Sequence, residues 1–327
     1  MDRHGLYPLP ADIRTFIQSA TPASRKLQLW TKFPQWRMDF KNELWIWWRK
    51  SGADQPSPLL DSGAYRAYDD TWRSVLTMVD GANPIDDETM YNNAATGFGN
   101  LPNYVDGKIY RAQDLNGTTD YMTIAADRTM SPRTGVFSIA CWIYPHVISG
   151  TQQIFSERTG TGGQLEIEIN SSGNLNVYSS GLELTSVATL SIDTWYHIVL
   201  IRDSGNTLRL YINGVQDNSV GSFTDDIIID GDLHIGRDYI SGQFFNGLLD
   251  QFMWNVGRAL TAYDVKAMYE NQNGPSNLMT PGEGMDVDLF WGYEYEQEFA
   301  IPASQIDADI DDMPVLFTEA NLPAGIF

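Results

Sequence analysis

Between Arg73 and Trp254 the chain is written in short runs that alternate apolar and polar residues. Such alternation is the mark of strands with one buried face. In Phe137-Ser138-Ile139-Ala140-Cys141-Trp142-Ile143-Tyr144 it puts Phe137, Ile139, Cys141 and Ile143 on one face. The same pattern recurs in Arg73 to Val79, Tyr121 to Ile124, Gln153 to Glu157, Gln164 to Ile169, Asn174 to Tyr178, Trp195 to Arg202, Leu208 to Ile212, Leu233 to Gly236 and Gly247 to Trp254. Gly, Asn, Asp and Ser punctuate the runs, and Asn213-Gly214 is a strong tight-turn signal. Many short strands with turns every 8–12 residues predict an all-β antiparallel sandwich or jelly roll. Only Thr261 to Glu270 reads as a helix, with Thr261 as N-cap and Asp264 in the first turn.

The flanks follow a different pattern. Before Tyr68 the best strands are Lys26 to Lys32 and Asn42 to Arg49. In the second, Leu44, Ile46 and Trp48 share one face while Trp45 and Trp47 take the other, so both faces need cover. Gly52 to Gly63, with Pro56 and Pro58, reads as a linker. Beyond Asn273, Phe299 to Pro302 and Met313 to Phe317 are further strand candidates around the acidic stretch Asp307 to Asp312. The expected organisation is a β-rich half-domain (1–71), a jelly roll (72–272), a linker (273–298) and C-terminal strands (299–327) that complete a second, smaller β-sandwich-like domain. The apolar residues Trp45, Trp47, Val315 and Phe317 are the candidates for that closure, in the same chain or in a neighbouring subunit.

Charge narrows the partners. With 21 Lys plus Arg against 42 Asp plus Glu, the net charge is -21, which repels a phosphate backbone and argues against nucleic acid. The single Cys141 allows no intrachain disulfide and reads as a small core residue. The first eleven residues lack an apolar run of signal-peptide type, and no stretch reaches the roughly 18 apolar residues of a membrane span. The expectation is a soluble protein made in a cytoplasm, without membrane insertion.

Several local motifs, in order, resemble the laminin-G-like (concanavalin A-like) jelly-roll family over nearly the whole central block. Val105-Asp106-Gly107-Lys108-Ile109, Leu115-Asn116-Gly117 and Asp120-Tyr121 look like its opening, and Phe137-Ser138-Ile139 with Trp142-Ile143 like its aromatic strand. Trp195-Tyr196-His197-Ile198-Val199 with Leu210-Tyr211-Ile212-Asn213-Gly214 is the most specific pair. Phe245 to Phe252 and Arg258-Ala259-Leu260-Thr261 match the closing strand and helix. The flanks resemble two halves, in reversed order, of a small domain of unknown function found in phage tail proteins and bacterial surface proteins. The segments that carry this are Asp12 to Arg14, Leu27 to Pro34, Trp45 to Ala53, Ile306 to Asp309, Met313 to Leu316 and Glu319 to Pro323.

The resemblance implies candidate chemistry. Laminarinase-type relatives carry E-x-D-x-E on one strand, but here Gln164 and Glu166 replace the first two carboxylates. Glu166 and Glu168 are therefore expected to be a solvent-facing pair, and the chain not an enzyme. Relatives also bind Ca2+ or sugars through rim loops, which makes Glu157 and Asp238 the candidate ligands and Ca2+ the candidate cofactor. The four histidines, His4, His146, His197 and His234, show no metal-site spacing. Two function classes follow. One is a bacteriophage virion structural protein (tail fibre, tail tip or head decoration), homo-oligomeric, with a trimer expected of a fibre, contacting other virion proteins and host glycans. The alternative is a glycan-binding module of a bacterial surface or secreted protein.

Overall fold

A computed structural model describes residues 67–274 with their side chains, except 79–82, 110, 158–163 and 241; outside that span it describes the backbone of six strands. Contacts divide the chain into one unit of residues 70–265 and another that joins 1–69 with 266–327. The strands in chain order are β1 (Ala11–Ile17), β2 (Lys26–Trp36), β3 (Asn42–Trp48), β4 (Trp72–Leu76), β5 (Ala95–Phe98), β6 (Tyr104–Asp106) and β7 (Arg111–Asn116). They continue as β8 (Tyr121–Ile124), β9 (Phe137–Pro145), β10 (Gln152–Glu157), β11 (Leu165–Ile169), β12 (Asn174–Tyr178), β13 (Leu182–Thr189) and β14 (Tyr196–Arg202). The rest are β15 (Leu208–Ile212), β16 (Val215–Val220), β17 (Leu233–Ile235), β18 (Asn246–Val256), β19 (Thr280–Asp286), β20 (Tyr295–Ile301) and β21 (Ile310–Thr318), with helix α1 (Ala262–Asn273) after β18.

The central unit is a sandwich of two antiparallel sheets. One has seven strands in the order β13-β12-β11-β10-β17-β8-β5; the other runs β16-β15-β14-β9-β18-β7-β6, with β4 paired beside β18. Alternation sends Phe137, Ile139, Cys141 and Ile143 of β9 inward, as the sequence pattern requires, and Leu165, Ile167 and Ile169 of β11 meet them from the facing sheet. Phe155 packs edge-on against Phe252 and Trp254, with ring centroids 6.1 and 5.8 Å apart. Each such buried ring contributes about 1.5–3 kcal/mol. Cys141 lies within this core, and burial pushes its thiol up to about 12.

Local chemistry sets the turns. Asn213 and Gly214 both take positive φ, 53° and 80°, and join Ile212 of β15 to its partner Val215 of β16 in a two-residue hairpin. At the start of α1 the Thr261 hydroxyl accepts the Asp264 amide at 3.1 Å while the Asp264 carboxylate accepts the Thr261 amide at 2.6 Å, a reciprocal cap. In β18, Gly247 has no room for a side chain, because an added Cβ would lie 2.3 Å from the Tyr144 carbonyl oxygen across the ladder. The strand that alternation predicts through Val79 stops at Leu76, since Met78 adopts a φ of 59°.

A buried cation ties the loops at one end of the sandwich. The fully buried Arg202 donates to the carbonyls of Gly135 and Asp225, both at 2.6 Å, and of Arg133. Its guanidinium also lies over the rings of Phe137 and Phe223, at 5.2 and 5.4 Å.

The flanking strands form two three-stranded sheets, β1-β2-β21 and β19-β20-β3. In each, an N-terminal strand pairs with a C-terminal one of the same chain: Trp30 lies opposite Leu316, and Trp45 opposite Glu298. Trp45, Trp47, Val315 and Phe317 lie in these strands, and their side chains fall outside the described residues.

Candidate functional site

The two outer faces of the sandwich differ. On the eight-stranded sheet Trp142, His197 and Asp250 are all buried, and the Lys108 ammonium lies 5.0 Å from the Trp142 ring. Asp250 accepts the Ile109 amide at 2.8 Å, and burial pushes its carboxyl up to about 7. The centre of that face is packed structure.

The outer face of the seven-stranded sheet carries hydrogen-bonding groups in rows. Register aligns Thr96, Thr123, His234, Ser156, Glu166 and Tyr178 across β5, β8, β17, β10, β11 and β12. Five strand spacings make this row roughly 24 Å long. A second row sets Gln153, Glu168, Asn176 and Thr185 side by side on β10 to β13. Within the rows Asn176 donates to Glu168 at 3.0 Å, Thr185 donates to Asn176 at 2.9 Å, and Gln153 donates to Glu166 at 3.3 Å. Partial burial raises the Tyr178 hydroxyl, and the neighbouring Glu168 charge adds to the effect.

Aromatic rings flank the rows at the β5 edge. Phe98 stacks on Tyr121 with centroids 4.7 Å apart and planes 5° apart. Tyr121 in turn meets His234 and Phe244, both at 6.1 Å, and His234 meets Tyr239 at 5.3 Å. The Arg237 guanidinium lies 4.5 Å from the Tyr121 ring centre. Phe98, Tyr239 and Ile240 are solvent-exposed, so this is an accessible platform. Burial, then the Arg237 charge, holds the His234 imidazole below its ordinary value, which keeps it neutral and able both to donate and to accept.

The sequence candidates fall in different places. Glu166 and Glu168 do share the outer face, but they are 7% and 8% exposed rather than solvent-facing, because Gln153, Asn176 and Tyr178 enclose them. Their i, i+2 spacing of roughly 6.6–7 Å exceeds the 5–5.5 Å of a retaining hydrolase pair. Glu157 points inward, opposite Leu165, and accepts the Gly231 amide at 3.3 Å. Burial pushes it up to about 7, with Asp230 and Glu166 adding to the shift. Asp238 is buried beyond the other end of β17, and its backbone carbonyl accepts from Arg237. Register thus separates Glu157 from Asp238, so the two do not share one site. Among the described residues no group of three or more His, Cys, Asp or Glu could hold a metal ion. Tyr121, Phe98, Arg237 and Tyr178 were invisible as a group in sequence, although each is an outward position of an alternating strand or of the turn beside one.

Residues 116–266 match the family model described as the concanavalin A-like lectin/glucanases superfamily, of the laminin-G type. No curated protein matches the chain. Among solved structures, the binding domain of Paraclostridial Mosquitocidal Protein 1 is similar at 18% identity and a TM-score of 0.52, covering 62% of this chain and 52% of that one. Domain 4 of AbnA, a GH43 extracellular arabinanase from Geobacillus stearothermophilus solved with arabinotriose, has 23% identity and a TM-score of 0.49, covering 61% and 98%. The botulinum neurotoxin serotype D binding domain has 17% identity and a TM-score of 0.49, covering 64% and 53%. The chain thus spans about half the length of the toxin binding domains it matches. The sandwich topology and the family match agree on the fold: residues 116–266, which match the laminin-G-type model, lie within a jelly-roll sandwich of the concanavalin A-like kind.

Proposed function

We propose that the jelly roll is a non-catalytic glycan-binding module whose site is the outer face of the seven-stranded sheet. The observation that carries this reading is the double row of amide, hydroxyl and carboxylate groups beside an exposed ring platform. Sugar hydroxyls need paired donors and acceptors, and the apolar faces of sugar rings need flat aromatic surface. The lectin/glucanase description of the matching family supports it. The test is a glycan array followed by calorimetry on the best ligand. Tyr178→Phe and Glu168→Gln should each weaken binding about tenfold, which corresponds to roughly 1.4 kcal/mol, with little change in melting temperature. A silent array sinks the reading, and hydrolysis of the bound glycan would make the module an enzyme instead.

A finer reading concerns where the module works. The flanking strands, with N- and C-terminal segments in one sheet, and their resemblance to phage tail and bacterial surface domains favour an assembling protein, a virion component with a host-glycan contact. Copies could assemble by exchanging β21 at the same register it now uses with β2. Light scattering on the eluting full chain should therefore give a homo-oligomer. A monomer at every concentration would remove the assembly role while leaving the glycan site untouched.

A further inference from the structure

We propose that the aromatic platform beside β5 selects glycans bearing an anionic oxygen group, a carboxylate or a sulfate, through Arg237. This deepens the glycan-binding reading and rests on it.

Arg237 is held by the backbone that follows it. Its Nε donates to the Asp238 carbonyl at 2.9 Å and its Nη2 to the Tyr239 carbonyl at 3.0 Å. Those bonds use the Nε–Nη2 edge, that is, two of the five N–H groups of a guanidinium. The Nη1 edge keeps both of its hydrogens and the second Nη2 hydrogen, the fork that takes a carboxylate or sulfate in two parallel bonds. The rings of Tyr121 and Phe244, 4.5 and 5.7 Å from the guanidinium carbon, fix its plane. A donor held in this way gives up little rotamer entropy when a ligand arrives.

The surroundings of Arg237 differ from those of four other arginines of the unit. Arg133, Arg209 and Arg258 are committed to Asp226, Asp203 and Asp264, and Arg202 is committed to backbone carbonyls. No carboxylate of a described residue lies within ion-pair distance of Arg237. Asp232 and Asp238 are the nearer acidic groups, whose charges reach His234, whereas Glu166 and Glu168 sit three strands away on β11, roughly 14 Å from β8. Phe98 and Tyr239, exposed on either side, offer ring faces to the sugar that carries the anion.

The probe is a printed array that holds neutral oligosaccharides together with their sialylated, uronic-acid and sulfated counterparts. Binding should concentrate on the anionic members, and the carboxylated and sulfated arms identify which group is preferred. Arg237→Gln should lower affinity for anionic members about tenfold while neutral relatives change little. Arg237→Lys keeps the charge but loses the fork, and should fall between the two. Circular dichroism and melting temperature establish that both variants are folded. Equal binding of neutral and anionic members, or an Arg237→Gln protein that retains the anionic preference, would overturn the inference and leave glycan binding intact. An array silent for all members would overturn both.

Discussion

Replacing Arg202 by Leu should lower the stability of the jelly roll by about 3–5 kcal/mol, enough for a fall of roughly 10 °C in its melting temperature. The side chain is fully buried and spends its charge on three backbone carbonyls from two separate loops, those of Arg133 and Gly135 on one side and Asp225 on the other. Leucine fills part of the volume, but its branches cannot donate. The loops then lose charge-assisted bonds, and their carbonyls must find water at the margin of the core. Arg202→Lys should rescue less than half of the loss, because one ammonium cannot reproduce the planar fork. Urea titration of the cooperative transition checks both variants. A loss under about 1 kcal/mol for Arg202→Leu would show that the loops are held by packing alone.

The second large effect is with pH. Burial pulls the His197 imidazole down to about 3, whereas in an unfolded chain it titrates near 6.5. Between those values the unfolded chain takes up a proton that the native state refuses. His197 therefore costs stability as pH falls through this window, on the order of 5 kcal/mol over its whole width. Asp250 and Glu157 act with the opposite sign. Burial raises both to about 7, so the native state keeps protons that the unfolded chain releases above about 4. Their contribution is complete below that value and is lost as pH rises towards 7. The wild-type curve mixes the two, so the difference between wild type and His197→Leu is the clean readout. That difference should grow from pH 4 to 6.5 with a slope approaching about 1.4 kcal/mol per unit. A flat difference would mean that His197 is solvated in the native state.

Much of this architecture was legible before any coordinates. Strands with strict alternation, the Asn213-Gly214 turn and the Thr261/Asp264 cap depend on neighbours a few residues away, and all of them are present. The alternation does not mark β1, β5, β6, β7, β13, β16 or β19, the last inside the expected linker 273–298; β5, β6, β13 and β16 are also sheet edges. The site was harder to read for two reasons. Glu157 looked like a rim ligand, but a register shift between Gln153 and Phe155 turns the end of β10 over and sends its carboxylate inward. The ring platform gathers Phe98, Tyr121, Arg237 and Phe244, which are far apart in the chain and become neighbours only through the order β17-β8-β5. Alternation says which residues face out; it does not say which strands stand side by side.

One detail of the ladder bears on how such a chain could evolve. The sandwich starts at β4 and closes at β18, which are paired with each other, and the Val256 amide bonds to the Thr71 carbonyl at 2.9 Å. The chain therefore enters and leaves the module at a single doorway. A module with one doorway can be exchanged as a cartridge, because the two chain ends that lead into it lie side by side. The sandwich and the segments on either side of it could then change independently, one by swapping the cartridge and the other by editing the chain before and after it.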